Sequence, residues 1–174
     1  MAFDATTGGA DANSYVAVAF ADDYFTTRLN SAWWALLTTA EKQAYLVTGT
    51  LTLETWVTWR GTPAEDTQAL HWPAEDALDC KGTEIDEDTI PIAVQRAVCE
   101  QASYSYSVDP SEVPTAVQKG ILSASVGSLE VEFDSGNVPS RLGKTAIGLT
   151  NCYGTPKPGA SSDNGIGQTP IARY

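Results

Sequence analysis

The sequence predicts a mainly α-helical fold: a small helical bundle with an added β-hairpin and an extended C-terminal tail. First, apolar side chains in residues 90–104 recur at three- and four-residue spacing, the period of an amphipathic helix. Second, residues 121–133 alternate apolar and polar side chains about Gly127-Ser128, the pattern of two strands joined by a tight turn. Third, glycine, proline, serine and threonine dominate from Ser135 onward, a composition too poor in apolar groups to build its own core.

The helix predicted at residues 90–104 forms the centre of the core in this interpretation. Pro91 marks its start, because a proline in the first turn has φ already near the helical value and lacks only an N–H that would have no partner there. The predicted core positions of this helix are Ile90, Pro91, Val94, Ala97 and Val98. We therefore expect this helix to pack against other helices.

A first helix is predicted near residues 17–29, after a small and polar segment at 4–13. Val18, Ala21, Phe25 and Leu29 follow helical spacing and form its predicted buried face. We expect residues 4–13 to be an extended arm whose ordering depends on a neighbouring molecule.

A second helix is predicted to begin at Thr38 and to end before Gly61. Thr38 and Glu41 have the spacing of a capping box, in which each side chain binds the other residue's backbone N–H. Residues 48–52 have poor helix propensity, so a local strand is the alternative, although the cap favours a helix. Its apolar side chains form two stripes: Ala44, Val47 and Leu51 on one, and Leu46, Leu53, Trp56 and Val57 on the other.

A long acidic connection follows, with 9 acids and 2 bases from Arg60 to Ile90, both ends included. We expect Leu70 and Trp72 to anchor it on the helices. Its acids at 75–88 have three interpretations: solvated surface, oxygen ligands for a cation without the spacing of a calcium loop, or a docking patch for a basic partner.

Overall charge limits the function classes that fit. The chain has 174 residues, 43% of them hydrophobic, with 22 acids against 10 bases, a net charge of −12 and a sequence pI near 4.2. Such a surface repels nucleic acid and anionic membranes. No run of about twenty apolar residues is present and the first residues lack the basic start of a secretory signal, so we expect a soluble protein without a membrane partner, made in the cytoplasm.

No catalytic or cofactor motif is recognisable, so neither an enzyme nor a cofactor is expected. Gly143-Lys144-Thr145 lacks the earlier glycine of a phosphate-binding loop, and His71, the only histidine, lies in no nucleophile signature. The three cysteines, Cys80, Cys99 and Cys152, are far apart in sequence, and we expect all three to be reduced thiols in or near the core.

Five tryptophans could stack on bases or pack in the core: Trp33, Trp34, Trp56, Trp59 and Trp72. Single-strand binders combine such rings with a positively charged groove. Only Arg28 and Arg60 lie near these rings in sequence, so packing is the favoured interpretation.

Several segments, in this order, resemble a family of tailed bacteriophages that is often labelled as primosomal DnaT-like single-strand DNA-binding proteins. The segments are residues 12–16, 21–25, Trp33, 68–73 (Gln-Ala-Leu-His-Trp-Pro), 90–97 and 126–133. The pattern looks like that of the head-tail adaptor, or head-completion, proteins that form a ring beneath the portal. That resemblance implies a helical bundle with a hairpin, no catalytic residues, and a ring that usually has twelve copies.

The resemblance also implies partners and a location. The expected partners are the portal protein and a tail-side neck or tail-terminator protein, with genomic DNA passing through the ring without specific binding, in the neck of the virion. A single-strand DNA-binding replication accessory protein is the alternative.

We expect two regions: a helical adaptor domain at 1–134, with its hairpin near 120–134, and an extended arm at 135–174. The first 134 residues carry a net charge of −15 and the last 40 carry +3. The candidate contacts of this arm with the portal or an adjacent subunit are Arg141, Lys144, Lys157 and Arg173.

Overall fold

The computed structural model describes residues 2–108, 140–158 and 160, together with the backbone of two strands at 123–126 and 129–132. The helices are α1 (Val18–Thr26), α2 (Ala32–Leu36), α3 (Thr39–Trp56), α4 (Ile92–Ser107) and α5 (Lys144–Thr150). The strands are β1 (Val57–Trp59), β2 (Thr62–Pro63), β3 (Ala74–Glu75), β4 (Ser123–Val126), β5 (Leu129–Glu132) and β6 (Gly154–Pro156). The predicted fold class, mainly helical with a small hairpin, is confirmed.

Helix α4 is the centre of the core, as predicted. Val94, Ala97 and Val98 are fully buried, and Ile90 is 8% exposed. Pro91 lies at the N-cap instead of inside the first turn, and its carbonyl accepts the N–H groups of Val94 and Gln95. The apolar stripe read from the sequence is thus the face on which the other helices pack.

Helix α3 begins with the predicted capping box. The N–H of Glu41 donates to Thr38 Oγ1 at 3.3 Å, and the N–H of Thr38 donates to Glu41 Oε2 at 2.8 Å. The helix continues through residues 48–52, so the local strand is excluded. It ends at Trp56 because Val57 is extended and begins β1.

Only one of the two predicted α3 stripes faces the core. Leu46, Leu53 and Val57 are buried, whereas Ala44 is exposed and Leu51 is 63% exposed. The prediction for the stripe of Ala44, Val47 and Leu51 was wrong because the face turned towards α4 carries Gly49 and Thr50, both buried. A Cβ on Gly49 would lie 2.9 Å from the carbonyl oxygen of Val98 in α4. Glycine therefore permits a backbone approach at this point that other residues would block.

The first helix is shorter than predicted. Ala21 and Phe25 are buried, but α1 ends at Thr26 and Leu29 is 93% exposed, so its assignment to the buried face was wrong. The chain turns at Asn30, where φ is 59°, a value that asparagine tolerates better than most residues. It then enters the short helix α2, which carries Trp33 and Trp34.

The N-terminal arm is held by its own chain. The N–H of Asp4 donates to Asn13 Oδ1 at 3.0 Å, and the N–H of Asn13 returns to the Asp4 carbonyl at 2.8 Å. The N–H of Ala69 donates to the Gly9 carbonyl at 3.1 Å, which joins the arm to the long connection. The prediction that a neighbouring molecule orders this arm was therefore wrong.

The long connection is pinned where predicted. Trp72 is 1% exposed and Leu70 is half-buried against the core. The side-chain amide of Gln68 donates to three backbone carbonyls, those of Leu70, His71 and Pro73, at 2.6–2.9 Å. The Trp72-Pro73 peptide bond is cis. Strands β2 and β3 pair within this connection.

The C-terminal region differs most from the prediction. Helix α5 packs on α4, with Leu142 and Ala146 fully buried, and β6 pairs antiparallel with β1. The prediction of an extended arm was therefore wrong for residues 140–158, which belong to the body of the fold. Arg173 and the rest of 161–174 lie outside the described residues.

Strands β4 and β5 pair antiparallel in the predicted hairpin, with Val126 opposite Leu129.

Two cysteines are joined instead of reduced. Cys80 and Cys152 form a disulfide with their Cα atoms 5.1 Å apart, while Cys99 is a free and buried thiol. The separation of 72 residues conceals this pair in the sequence, because the fold alone brings it together.

Among the described residues, no helix has the length and hydropathy needed to cross a membrane.

The Gly49 contact gives a matched pair of substitutions. Gly49→Ala should destabilise the protein by about 1–2 kcal/mol, because the overpacking against Val98 exceeds the gain of about 1 kcal/mol in helix propensity. Gly148→Ala in α5 should leave stability unchanged or raise it by up to about 1 kcal/mol, since a Cβ there meets nothing within 4 Å. Urea unfolding of both variants measures the difference. Equal stability would show that the two helices do not need a glycine at this contact.

Candidate functional site

An aromatic cluster lies where α1, α2, α3 and α4 meet. Its members are Phe25, Trp33, Trp34, Tyr45 and Tyr106. Trp33 stacks on Tyr106 with 4.3 Å between ring centroids and 15° between the planes. Trp34 is 3% exposed and Tyr106 is 49% exposed, so the cluster extends from the core to the surface.

One cation beside the cluster is paired. Lys42 Nζ lies 2.8 Å from Asp22 Oδ1 and 5.4 Å from the centre of the Trp34 ring. The indole N–H of Trp34 donates to the same carboxylate at 2.7 Å. The hydrogen bond from Lys42 lowers the pKa of Asp22, assisted by the one from Trp34. Lys42 is therefore engaged by its own chain.

Arg28, the second cation beside the cluster, pairs with a carboxylate that is more buried than Asp22. Arg28 contacts Glu100 at 2.6 Å, and Glu100 is only 8% exposed. The hydroxyl of Tyr24 donates to the same carboxylate oxygen, and the burial of Tyr24 raises the pKa of its hydroxyl. A buried carboxylate is costly unless it is paired and hydrogen-bonded, and Arg28 and Tyr24 meet that requirement here.

The sequence predicted that the five tryptophans pack, and this prediction is confirmed. Trp34 and Trp72 are buried, and Trp33, Trp56 and Trp59 pack against the core. Two large apolar side chains flank Trp33 in sequence and remain in solvent: Leu29, 93% exposed, and Leu36, 85% exposed. Trp33 stacks on Tyr106, and both leucines lie within four residues of Trp33 in the sequence, so we group Leu29, Trp33, Leu36 and Tyr106 under the name corner surface. Its chemistry suits contact with an apolar protein surface.

Three of the four cations expected on a free arm, Arg141, Lys144 and Lys157, lie on the docked C-terminal segment. Lys144 is exposed at the start of α5. Lys157 Nζ donates to the Thr55 carbonyl at 2.7 Å, and the guanidinium of Arg141 lies 5.9 Å from the Trp56 ring. Lys157 and Arg141 thus contact α3 of their own chain. Their contacts with a portal or another subunit stay a prediction.

Gln101 of α4 holds the start of this segment, a role that the sequence analysis missed. Gln101 is fully buried; its amide donates to the Arg141 carbonyl at 3.1 Å and its oxygen accepts the N–H of Gly143 at 2.9 Å. The hydroxyl of Tyr104 donates to the Ser140 carbonyl at 2.7 Å. A glutamine on an otherwise apolar helical stripe was the available signal.

Glu54 joins three other parts of the molecule and was also missed. Its carboxylate accepts hydrogen bonds from the Tyr15 hydroxyl, the Trp59 indole N–H and the backbone N–H of His71. The imidazole of His71 lies 6.3 Å from the Trp59 ring in a stacked arrangement, and its Nε2 is 3.1 Å from the Arg60 carbonyl. These contacts connect the segment before α1, helix α3 and the long connection. The role of Glu54 is therefore structural.

The acidic connection presents an open cleft lined mainly by carboxylates. The lining acids are Glu75, Asp76, Glu84, Asp86, Glu87 and Asp88. Across the described part of the chain, no group of three or more histidine, cysteine, aspartate or glutamate side chains is placed to hold a metal ion. Solvated surface and a docking patch for a basic partner are the interpretations that fit this arrangement.

The sequence matches the model of a protein family described as "Putative DnaT-like ssDNA binding protein" over residues 1–152. The chain belongs to this DnaT-like family. The match includes α1 to α5, the aromatic cluster and Cys152. No curated protein and no solved structure matches the chain.

The Gln101 contacts predict a measurable cost. Gln101→Met should lower the free energy of unfolding by about 2 kcal/mol, because the buried N–H of Gly143 loses its acceptor. Gln95→Met is the matched control, since that amide makes one hydrogen bond, to the Ile90 carbonyl, at a half-buried position, and it should cost less than about 1 kcal/mol. Denaturant unfolding would contradict the assignment if the two variants were equally stable.

Proposed function

We propose that the chain is a structural subunit of a tailed bacteriophage, a head-tail adaptor that assembles into a ring beneath the portal. The observation that carries this proposal is the chemistry of the corner surface. Large apolar groups are exposed there, whereas the neighbouring cations Arg28 and Lys42 are paired with carboxylates of the same chain. Such a surface offers contact area to another protein and little free positive charge to phosphate.

The charge of the chain fits a DNA channel. A net charge of −12 repels the phosphate backbone, so DNA can pass through a ring of such subunits without adhering to it. In this proposal the portal lies on one side of the ring and a neck or tail-terminator protein on the other, with twelve copies and a location in the virion neck, as the resemblance implies.

A binding protein for single-stranded DNA, acting as a replication accessory, is the second candidate. The description of the DnaT-like family favours it, and the family match lends no support to the adaptor. The exposed edge of the Trp33–Tyr106 stack is the feature on which a base could stack. This function needs free cations along the strand, and the two cations beside the aromatic cluster are engaged.

Fluorescence anisotropy with a labelled single-stranded oligonucleotide separates the two candidates. We expect negligible binding at physiological salt, because the acidic surface repels phosphate. Tyr106→Ala should not change the signal, and Tyr153→Ala, whose ring meets Trp72 edge-on, serves as the control aromatic variant outside the cluster. Sub-micromolar affinity that falls with salt and weakens about tenfold or more in Tyr106→Ala would establish the DNA-binding candidate instead.

The adaptor proposal also predicts a surface for assembly. Leu29→Asp and Leu36→Asp should leave the melting temperature within a few degrees of wild type, since both side chains are already in solvent. Both should weaken self-assembly, or binding to purified portal rings, at least tenfold by removing apolar contact area. Leu78→Asp is the control, because Leu78 is 51% exposed in the acidic connection. Unchanged assembly in both corner variants would exclude this surface as the interface.

A further inference from the structure

The Cys80–Cys152 disulfide joins two surface features. Cys80 lies in a small acidic hairpin, residues 77–85, whose strands meet at a bridge between Leu78 and Glu84. Cys152 lies in the turn between α5 and β6. Cys80 is exposed and Cys152 is half-buried, so small molecules in solvent can reach the Cys80 end of the bond.

The tip of this hairpin has few other attachments. Asp79 Oδ1 accepts the N–H groups of Lys81 and Thr83, both at 2.8 Å, and the N–H of Asp79 donates to the Thr83 carbonyl at 2.8 Å. These bonds are internal to the tip. At the base, Ala77 is 1% exposed and anchors the hairpin in the core. The disulfide is therefore the strong attachment between the described part of the tip and the C-terminal segment.

We propose that Cys80 and Cys152 form a redox-sensitive cross-link, open as two thiols in a reducing cytoplasm and closed when the protein meets an oxidising solution. Closing it fixes the acidic hairpin against the segment that carries α5 and β6. The inference depends on the positions of the two cysteines and is independent of whether the protein is an adaptor or a DNA-binding protein.

A small disulfide, such as oxidised glutathione, supplies the oxidising equivalents. The Cys80 thiolate attacks one of its sulfurs, which breaks that S–S bond, forms a mixed disulfide and releases one glutathione thiolate. The Cys152 thiolate then attacks Cys80 Sγ, forms the protein disulfide and releases the second glutathione. Two protein thiols lose two electrons and two protons, and one small disulfide gains them. A dithiol reductant reverses both steps.

Cys99 does not take part in this exchange. It is fully buried, and burial raises the pKa of its thiol to about 12, so the reactive thiolate is scarce. The chain therefore carries one exchangeable pair and one inert thiol among its three cysteines.

Closing the bond should also raise thermal stability. The two cysteines are 72 residues apart, and the loop between them includes α4 and α5. A cross-link across so long a loop reduces the conformational freedom of the unfolded chain. For a protein of this size, reduction should lower the melting temperature by about 10 °C.

The test compares the wild-type protein after incubation with oxidised glutathione and after incubation with dithiothreitol. Alkylation in guanidinium followed by mass spectrometry should give one modified cysteine in the oxidised sample and three in the reduced one. The melting temperature should fall on reduction. Trypsin should cleave after Lys81 faster in the reduced sample, because the hairpin tip has lost its attachment. Cleavage after Arg96 requires the core helix α4 to unfold and should stay much slower than cleavage after Lys81 in both samples.

Cysteine variants test which thiols form the cross-link. Cys80→Ser and Cys152→Ser should melt at the same temperature in both solutions, close to that of the reduced wild type. Cys99→Ala is the control and should keep the difference between the two solutions. The proposal would be overturned by three alkylated cysteines after oxidation or by disulfide-linked dimers. It would also be overturned if the melting temperature and the rate of cleavage after Lys81 were the same in both solutions.

Discussion

The close approach of α3 to α4 at Gly49 is the constraint on which the rest of the structure depends. With a Cβ only 2.9 Å from the Val98 carbonyl, any other residue would hold the two helices apart. Helix α3 covers only one face of α4. On a second face, Gln101 binds the backbone at the start of the C-terminal segment. Helix α4 is thus covered from two directions, which explains why charged and amide side chains on it, such as Glu100, are buried and require partners.

Sequence reasoning succeeded where the signal was local. The capping box at Thr38 and the stripe through Val94 and Val98 depend on residues three or four positions apart, and both were placed correctly. It failed where contacts between segments that are far apart in the sequence determine the structure. Residues 140–158 look like a polar tail, yet their few apolar groups, Leu142 and Ala146 among them, enter a groove beside α4 that no local pattern describes. The pairing of β6 with β1 and the Cys80–Cys152 bond span about a hundred and 72 residues, respectively.

The candidate site was less accessible to prediction than the fold. The sequence indicated that the tryptophans pack, but it could not show that Arg28 and Lys42 are each engaged by a carboxylate. It also placed Leu51 in the core and Leu29 on a buried face, because helical periodicity identifies an apolar stripe without saying which partner covers it. The description of the DnaT-like family names single-stranded DNA, whereas the pairing of these cations leaves little free positive charge beside the aromatic cluster. A function is therefore argued from the surface chemistry and not from the fold class.

The antiparallel pairing of β6 with β1 has a consequence for how the protein is made. The ribosome delivers α3 and α4 well before residues 154–156, so a nascent chain that already contains both helices still lacks the segment that covers the second face of α4. Until that segment emerges, the groove that receives Leu142 and Ala146 is open to water and to other chains. The body therefore reaches its native state only after residues 140–158 have emerged, and shorter nascent chains are the species most exposed to aggregation and to chaperones.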